Sequence, residues 1–327
     1  MERLIECVPN FSEGRDAAKL DALAATMSAV PGVWVLDRHS DADHNRSVIT
    51  IAGRPEAVAE AALRGVGQAA QLLDLTQHSG AHPRLGATDV LPFVPLEGCT
   101  MADCVAIAHR VGRDIWRRYR IPVYFYGAAA LRPERVHLEN IRRGQFEGLS
   151  GAELEHDPER APDVGEAKLH RTAGAVAVGA RKFLIAFNIN LDTADLSVAR
   201  QIARAVRASS GGLPHVKAIG VDLKSRGLAQ VSMNLTDFEQ TPLDRVFRAV
   251  EIEAARLGCG IVESEIVGLA PQQAIETIGG FDLHLRSFTG AQILENRLAE
   301  AMAGSRAATA GKTSTRRQRR VEAPGTR

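Results

Sequence analysis

Charge of a single sign is almost absent from this sequence. Its 327 residues carry 40 Lys and Arg against 39 Asp and Glu, which leaves a formal net charge of +1. A protein that binds nucleic acid or an anionic membrane mainly through electrostatics needs a strong positive field, and this composition provides none. We therefore expect small-molecule ligands, with no nucleic acid and no membrane among the partners.

Cysteines and long hydrophobic runs are also scarce. The cysteines are Cys7, Cys99, Cys104 and Cys259. They are scattered and form no C-x-x-C pair, which excludes a disulfide framework and predicts reduced thiols. No stretch approaches the ~20 apolar residues of a membrane span. Charges at Glu2, Arg3 and Glu6 interrupt the N-terminus where a signal peptide needs an apolar core, so we expect a cytoplasmic protein.

The hydrophobic pattern predicts two units of the same design. A hydrophobic content of 45% in 327 residues is enough for two domains with separate cores. The first half reads strand, helix, strand, strand, helix, strand, followed by a further helix and strand, and the second half repeats the six-element order. We predict an α/β (α+β) fold of two tandem ferredoxin-like split β-α-β subdomains with a ligand cleft between them.

We place the subdomains at residues 1–179 and 180–302. The predicted strands are 4–11, 33–36, 47–51, 89–94, 123–126, 183–190, 216–223, 229–235 and 261–267, and the predicted helices are 17–27, 55–73, 101–118, 194–208 and 243–257. Residues 151–166 are rich in Glu, Asp, Pro and Gly, which favours an exposed connection or a mobile lid. Residues 303–327 are small, polar and basic, and we predict a disordered tail there.

The most informative stretch is the loop HSGAHPRLGATD, residues 78–89. Two glycines and a proline surround His82 and Arg84, so both side chains are expected to be held at the end of the sheet. Histidine titrates near neutrality and suits proton transfer, while arginine offers a planar fork for a carboxylate. The alternative is a histidine that only hydrogen-bonds the turn.

A second polar cluster, DRHSDADHNR, spans residues 37–46 and joins two predicted strands. The spacing of His39, Asp41, Asp43 and His44 superficially suits a metal ion. A solvated turn or a substrate-binding loop is the favoured interpretation, because no comparable ligand set follows downstream. Arg46 enters a strand and is a candidate carboxylate clamp.

Two further segments have a dual interpretation. Residues 164–182 are rich in small residues and begin the second half, so they either admit a planar ligand close to the backbone or pack a helix tightly on a sheet. Neither phosphate-binding glycine signature occurs in them. The opening CVPNFSEGR, residues 7–15 with Asn10, feeds a helix N-terminus that is suited to a carboxylate.

Seven motifs in sequence resemble one family. ECVPNFSEGR, the D-x8-R stretch 37–46, GAHPRLGATDVLPFVPL, IPVYFYG, GARKFLIAFNINL, LAQVSMNL and SEIVGLAP are similar to glutamate formiminotransferase, also called glutamate formimidoyltransferase, from residue 1 to about 300. The resemblance implies two related α/β subdomains, a homodimer, and transfer of the formimino group from N-formiminoglutamate to tetrahydrofolate in histidine degradation and one-carbon metabolism. Vertebrate members continue into a cyclodeaminase domain, and we expect that second activity to be absent.

The resemblance also implies site residues. The family's acid/base histidine falls on His82, through the motif G-x-H-P-R. Its folate-contacting segment falls on Gly165, Glu166, Ala167, Lys168, Leu169, His170, Arg171, Thr172, Ala173 and Gly174. The family expects an aspartate where this chain has His39, and Asp37 and Asp41 are carboxylates that could substitute. We predict substrate contacts from Asn10, Asp37, His39, Arg46 and Arg84.

The chemistry of formimino transfer requires no metal and no covalent enzyme intermediate. N5 of tetrahydrofolate attacks the amidine carbon, and the glutamate nitrogen leaves with a proton, so one histidine can serve both steps. Three alternatives stay open. They are a folate-dependent formyltransferase with another donor or acceptor, a formiminoglutamate hydrolase with a metal at His39, Asp41, Asp43 and His44, and a folate-binding regulatory protein without turnover.

Overall fold

The computed structural model describes residues 3–42, 44–80, 83–150, 154, 157–224 and 226–304. Eleven strands in this part of the chain form two sheets. The strands are β1 Ile5–Cys7, β2 Asn10–Phe11, β3 Val33–Asp41, β4 Arg46–Gly53, β5 Thr88–Pro95, β6 Val123–Gly127, β7 Val176–Ala180, β8 Ile185–Leu191, β9 Val216–Leu223, β10 Leu228–Leu235 and β11 Ile261–Val267.

Helices cover one face of each sheet. They are α1 Ala17–Ser28, α2 Pro55–Leu72, α3 Met101–Tyr119, α4 Leu138–Ile141, α5 Gln145–Leu149, α6 Leu196–Val206, α7 Leu243–Arg256 and α8 Gln272–Glu276, and residues 294–304 are also helical. Local sequence signals mark where the long helices begin. Asp16 caps α1, Pro55 occupies the first turn of α2, and Thr100 forms a capping box with Asp103 at α3. No helix of the described part is long and apolar enough to cross a membrane.

Both sheets contain the ferredoxin-like strand order. In the second sheet the order is β11, β8, β10, β9, all antiparallel. In the first sheet, β3, β4, the interrupted strand β1 and β2, and β5 repeat that order, and β7 and then β6 extend it in parallel. The predicted fold of two tandem split β-α-β units is confirmed. The boundary at 179/180 stays a prediction, and β7 ends at Ala180 while β8 begins at Ile185.

The face of the first sheet opposite α1, α2 and α3, here called the open face, is where the two halves meet. Leu36 and Ala52 on the first half pack against Leu269 and Leu294 of the second. Arg297 donates to the Leu36 carbonyl from Nε at 3.2 Å and from a terminal nitrogen at 3.0 Å. At the other end of the sheet, α4 and α5 cover Tyr124 and Tyr126. The part of the open face between these two covered regions is where we expect the ligand cleft.

Two details of the sequence-based assignment were wrong. Residues 37–41 were predicted to belong to the connection between two strands, as a solvated turn or a substrate-binding loop. They instead continue β3, which is an edge strand and therefore tolerates polar side chains on both faces. No strand was predicted at residues 176–180, but they form β7 between β5 and β6 in the first sheet. Residues 151–153, 155, 156 and 305–327 lie outside the described residues, so the predicted lid is only partly described and the tail from 305 onward is not.

Candidate functional site

Strand alternation places several predicted substrate residues on the open face. Ile49 and Ile51 of β4 point into the helical core, so Arg46, Val48 and Thr50 point the other way. Their partners on β3 are Asp41 opposite Arg46, His39 opposite Val48, and Asp37 opposite Thr50. The sheet register, rather than a loop, therefore brings Asp37, His39 and Arg46 to one face.

Arg46 is held on this face by Asn10. A terminal nitrogen of Arg46 donates to Asn10 Oδ1, and Asn10 Nδ2 donates to the Val8 carbonyl at 2.7 Å. Burial lowers the pKa of Arg46 to about 10; Arg142 adds to this effect, and Asp89 and Asp41 oppose it. The buried Arg46 Nε has no hydrogen-bond partner among the described residues. A buried donor without a partner is costly, and an anionic ligand would satisfy it.

A second, partly buried arginine lies near it. Arg142, at the end of α4, pairs with Asp89, whose other oxygen accepts from the Leu85 backbone N–H at 2.7 Å. Asp89 is 1% exposed. The Asp89 carboxylate thus binds both the loop that precedes β5 and the residue at the end of α4. The sequence analysis missed Arg142, because only the tertiary fold brings residues 142 and 46 together.

Arg84 has partners within the protein. It pairs with Glu147 of α5 at 2.6 Å and donates to the His78 carbonyl at 3.0 Å. Its own carbonyl accepts from the Phe146 N–H at 2.9 Å. Glu147 is largely exposed, whereas Arg84 is buried. These bonds tie the 78–84 loop to α5, and a carboxylate substrate would have to share the guanidinium with Glu147 or displace it.

Asn45 and His78 are site residues that the sequence analysis did not single out. His78 Nε2 lies 3.0 Å from the Asn45 carbonyl and must donate to it, because a carbonyl only accepts. Burial lowers the pKa of His78, and the nearby Arg84 adds to that effect, while the bond to Asn45 opposes it. His78 Nδ1 is buried and has no partner among the described residues. Together with Ser12, His44, Arg46, Arg84 and Asp89, these two residues line one pocket.

Glu6 is a further buried acid on the same sheet. It lies in the middle of β1, between the core residues Ile5 and Cys7, and is 1% exposed. Burial raises its pKa to about 7, an effect that Arg181 opposes and Glu295 reinforces. Its Oε2 has no partner among the described residues. A charged residue within a short buried strand was the sequence signal that could have identified it.

Comparison with known proteins identifies the family. A model of the "Formiminotransferase domain, N-terminal subdomain" matches residues 4–181, and a "Formiminotransferase domain" model matches residues 186–296. The chain belongs to the formiminotransferase family. The resemblance found from the seven motifs is confirmed.

Individual relatives match over most of this formiminotransferase chain. It is similar to "Glutamate formimidoyltransferase" of Streptococcus pyogenes serotype M1, with 47% identity over 91% of this chain and 99% of that protein. A protein of the same name from Thermoplasma acidophilum is 42% identical over 91% of this chain and 98% of its own length. The "Formimidoyltransferase-cyclodeaminase" of Mus musculus is 42% identical over 86% of this chain and 52% of that protein.

The segment predicted to contact folate is divided between two places in this formiminotransferase. Gly165 packs against Trp116 near the end of α3, and Glu166 pairs with Arg120 at 3.2 Å. Its last residues form a turn, in which His170 and Gly174 exchange backbone hydrogen bonds at 2.9 Å. That turn borders the 85–87 stretch, since the Ala87 N–H donates to the Ala173 carbonyl at 2.9 Å. Only the second part of the segment therefore adjoins the loop of the predicted acid/base.

Three further predicted sites have different outcomes. His82, with Ala81, lies outside the described residues, as does Asp43, so the acid/base assignment stays a prediction. His39 is exposed, and Asp37 lies close to Gly268 of the second half, where an added Cβ would be 3.5 Å from Asp37 Oδ2. Within the described ranges, no group of three His, Cys, Asp or Glu side chains is arranged to hold a metal ion.

Proposed function

We propose that this protein transfers the formimino group of N-formiminoglutamate to N5 of tetrahydrofolate, giving 5-formiminotetrahydrofolate and glutamate. The observation that carries the proposal is the match of both halves to formiminotransferase domain models, together with 47% identity to a glutamate formimidoyltransferase over 91% of the chain. The enzyme would be a one-carbon transferase of histidine degradation, acting in the cytoplasm as a homodimer.

The charges on the open face support an anionic donor. Arg142 lies close enough to Arg46 to lower the pKa of Arg46, and Asp89 is the carboxylate paired with Arg142. The Arg46 Nε is buried without a partner among the described residues. N-formiminoglutamate carries two carboxylates, and arginine is the side chain best suited to bind one in a buried site. We assign Arg46, supported by Asn10, as the main carboxylate contact, with Asp37, His39 and Arg84 as further substrate residues.

The proton transfers are assigned to His82. The attacking folate nitrogen must lose a proton, and the departing glutamate nitrogen must gain one. A histidine beside both nitrogens can accept the first proton and donate the second, for a typical gain of ~10²–10⁴-fold. The anchors on either side of His82, at His78 and Arg84, support this role because a general acid/base must be held in place.

Tetrahydrofolate is assigned to the 165–174 segment as the co-substrate. The 170–174 turn is packed against the 85–87 stretch, and Gly174 has a φ of +67°, where an added Cβ would lie 2.2 Å from the Leu85 carbonyl. This close backbone contact supports the assignment, because it holds the 170–174 turn against the residues that directly follow the 78–84 loop. Lys168 and Arg171 supply positive charge for an anionic tail.

One assay separates the proposal from its alternatives. Purified protein is mixed with N-formiminoglutamate, with and without tetrahydrofolate and with a chelator, and products are identified by mass spectrometry. Folate-dependent product that resists the chelator supports formimino transfer. Glutamate released without folate, and lost on chelation, would identify a metal-dependent hydrolase. Folate binding without turnover would identify a regulatory protein, and turnover only with another donor or acceptor would identify a related formyltransferase.

A further inference from the structure

Three loops meet at Asn45, and its side-chain amide bonds to two of them. Asn45 Oδ1 accepts from the Gly14 N–H at 2.9 Å, and Asn45 Nδ2 donates to the Ser79 carbonyl at 2.9 Å. Gly14 belongs to the turn that leads from β2 to α1, and Ser79 precedes Gly80 in the 78–84 loop. The side chain is 7% exposed. Both polar ends of one buried amide are therefore used between two loops that are remote in sequence.

The backbone of Asn45 adds a third connection. Its carbonyl accepts from His78 Nε2 at 3.0 Å, so the same residue bonds to the 78–84 loop at both His78 and Ser79. Burial lowers the pKa of His78, and Nε2 can donate this bond in either protonation state, because both ring nitrogens of an imidazolium are donors. Arg84 donates to the His78 carbonyl at 3.0 Å, which ties the far end of the loop to the same point.

The neighbouring glycines show how closely these loops pack. A Cβ added at Gly80 would lie 2.4 Å from the His44 carbonyl oxygen and 2.9 Å from Asn45 Cβ. A Cβ added at Gly14 would lie 2.2 Å from the Asp41 carbonyl oxygen and 2.6 Å from the Arg46 nitrogen. Gly14 and Gly80 thus both pack closely against backbone at or next to Asn45.

The conformation of Asn45 suits few other residues. Its φ is +49°, in the left-handed region that asparagine and glycine adopt most readily. Glycine would keep that conformation without the amide. Aspartate would keep the shape and the acceptor for Gly14, but would place an oxygen opposite the Ser79 carbonyl. Asparagine combines the backbone conformation with one donor and one acceptor.

We propose that Asn45 is a positioning residue for the formimino transfer, fixing residues 78–80 of the acid/base loop relative to its own neighbour Arg46. This inference rests on the proposed function, which assigns Arg46 to the substrate carboxylate and the 78–84 loop to proton transfer. A peptide bond joins Asn45 to Arg46, so the amide sets the distance between the substrate contact and the loop. An error of about 1 Å in such a distance can cost on the order of 10²-fold in rate.

The test compares Asn45→Asp and Asn45→Gly with wild type and with Asn296→Asp. Asn296 is a matched control, because its Nδ2 also donates to a loop carbonyl, that of Gly290 at 3.0 Å, outside the proposed site. In both Asn45 variants we expect kcat to fall on the order of 10²-fold, with a much smaller change in KM. Backbone amides of residues 78–84 should exchange with solvent about tenfold faster, while amides in α7 keep their wild-type rates. Asn296→Asp should match wild type in each measurement.

Two results would overturn the assignment. One is wild-type kcat in Asn45→Asp; the other is a loss of kcat accompanied by faster amide exchange throughout the protein, which would show a general stabilising role. Failure of the proposed function is a separate result, because wild type itself would then form no 5-formiminotetrahydrofolate. In that case amide exchange alone decides whether Asn45 holds the loop. Faster exchange confined to 78–84 supports it, and unchanged exchange refutes it.

Discussion

The two sheets share a strand order and pack their long helices on the corresponding face, but the polar groups on the opposite face differ. On the second sheet, Asn190 and Gln230 are buried and satisfied: Asn190 Nδ2 donates to Glu263 at 2.9 Å, and Gln230 Nε2 donates to Asn190 Oδ1 at 2.9 Å. On the first sheet and its bordering loops, Glu6 Oε2, Arg46 Nε and His78 Nδ1 are buried without partners among the described residues.

This difference separates a structural role from a functional one. Folded proteins satisfy nearly all buried polar groups, and each exception requires an explanation. On the second sheet, the network of Asn190, Gln230 and Glu263 joins its donors to acceptors within the protein and calls for no ligand. Asp237 Oδ1, in the loop after β10, is the buried side-chain atom without a partner among the described residues of that half. On the first sheet, by contrast, the unsatisfied Arg46 Nε and His78 Nδ1 belong to residues that line one pocket, with the partly buried Arg142 nearby, which suits a polar, anionic substrate. The repeated fold therefore supports two tasks, and substitutions on the two faces should have different consequences.

The largest difference is expected between two histidines. His82→Asn should fold normally and lose roughly 10²-fold or more in turnover, because asparagine keeps a hydrogen-bonding side chain but does not titrate near pH 7. Steady-state kinetics and a thermal melt measure both effects. The control is His284→Asn in the second half, at an exposed position whose positive φ asparagine tolerates. Near-wild-type turnover of His82→Asn across pH would remove His82 from the mechanism.

A pair of arginines extends the comparison to binding. Arg46→Met removes the buried fork and should raise the Michaelis constant for N-formiminoglutamate about 10- to 100-fold, as expected for a charge-assisted bond worth ~1.5–3 kcal/mol. Arg226 of the second half pairs with Glu263 at 2.7 Å, and Arg226→Met should leave that constant unchanged. Equal effects of the two substitutions would contradict the division of roles between the sheets.

Glu6 predicts a pH dependence of stability that comes from the first sheet. Burial raises its pKa from an ordinary 4.5 to about 7, so the folded state holds this proton more tightly than the unfolded state does. The protonated carboxyl contributes its stability below pH 4.5, and that contribution is lost as the pH rises through 7. The free energy of unfolding of Glu6→Gln, relative to that of wild type, should therefore rise by about 2 kcal/mol as the pH is raised from 5 to 8. Denaturant unfolding of both proteins at pH 5 and at pH 8 measures this change. A stability difference between variant and wild type that does not depend on pH would refute the prediction.

The smallest effect is expected in the second sheet, and it should alter stability alone. Asn190→Ala leaves Gln230 and Glu263 short of a partner, which should lower the free energy of unfolding by about 1–2 kcal/mol. Turnover at a temperature where the variant is folded should equal that of wild type. Asn234, exposed on the same face, provides the control substitution to alanine. A large loss of kcat in Asn190→Ala would place the second sheet in the catalytic site.

The sequence predicted the elements whose signals are local. The helices α1 and α3 were placed to within about one residue because Asp16, Thr100 and apolar periodicity mark them, and β9 was placed at its observed bounds. By contrast, β7 was missed: it is buried on both faces and built of small residues, so it shows no alternation. Residues 37–41 of β3 were not predicted as a strand. An edge strand can leave polar side chains in solvent on both faces, so these residues lack the apolar alternation of a strand.

The site was predicted less completely than the fold. Arg46 and Arg84 stand in stretches whose composition suggests chemistry, whereas Arg142 and Asn45 reach the site only through the tertiary fold. Arg142 comes from a short helix about 100 residues beyond Arg46, held by its bond to Asp89. Asn45 looks like an ordinary turn residue until its amide is seen between Gly14 and Ser79. Such contacts depend on sheet register, which a single sequence does not specify.

In the proposed function, residues of the first sheet and its bordering loops transfer an intact formimino group to folate. A single-turnover reaction with excess enzyme, tetrahydrofolate and N-formiminoglutamate labelled with ¹³C at the formimino carbon tests it most directly. The label should move from glutamate to N5 of the folate in wild type, with no labelled formate or formamide, and should stay on glutamate in His82→Asn over the same time. Labelled formate or formamide released without folate, or equally fast transfer in His82→Asn, would contradict the account.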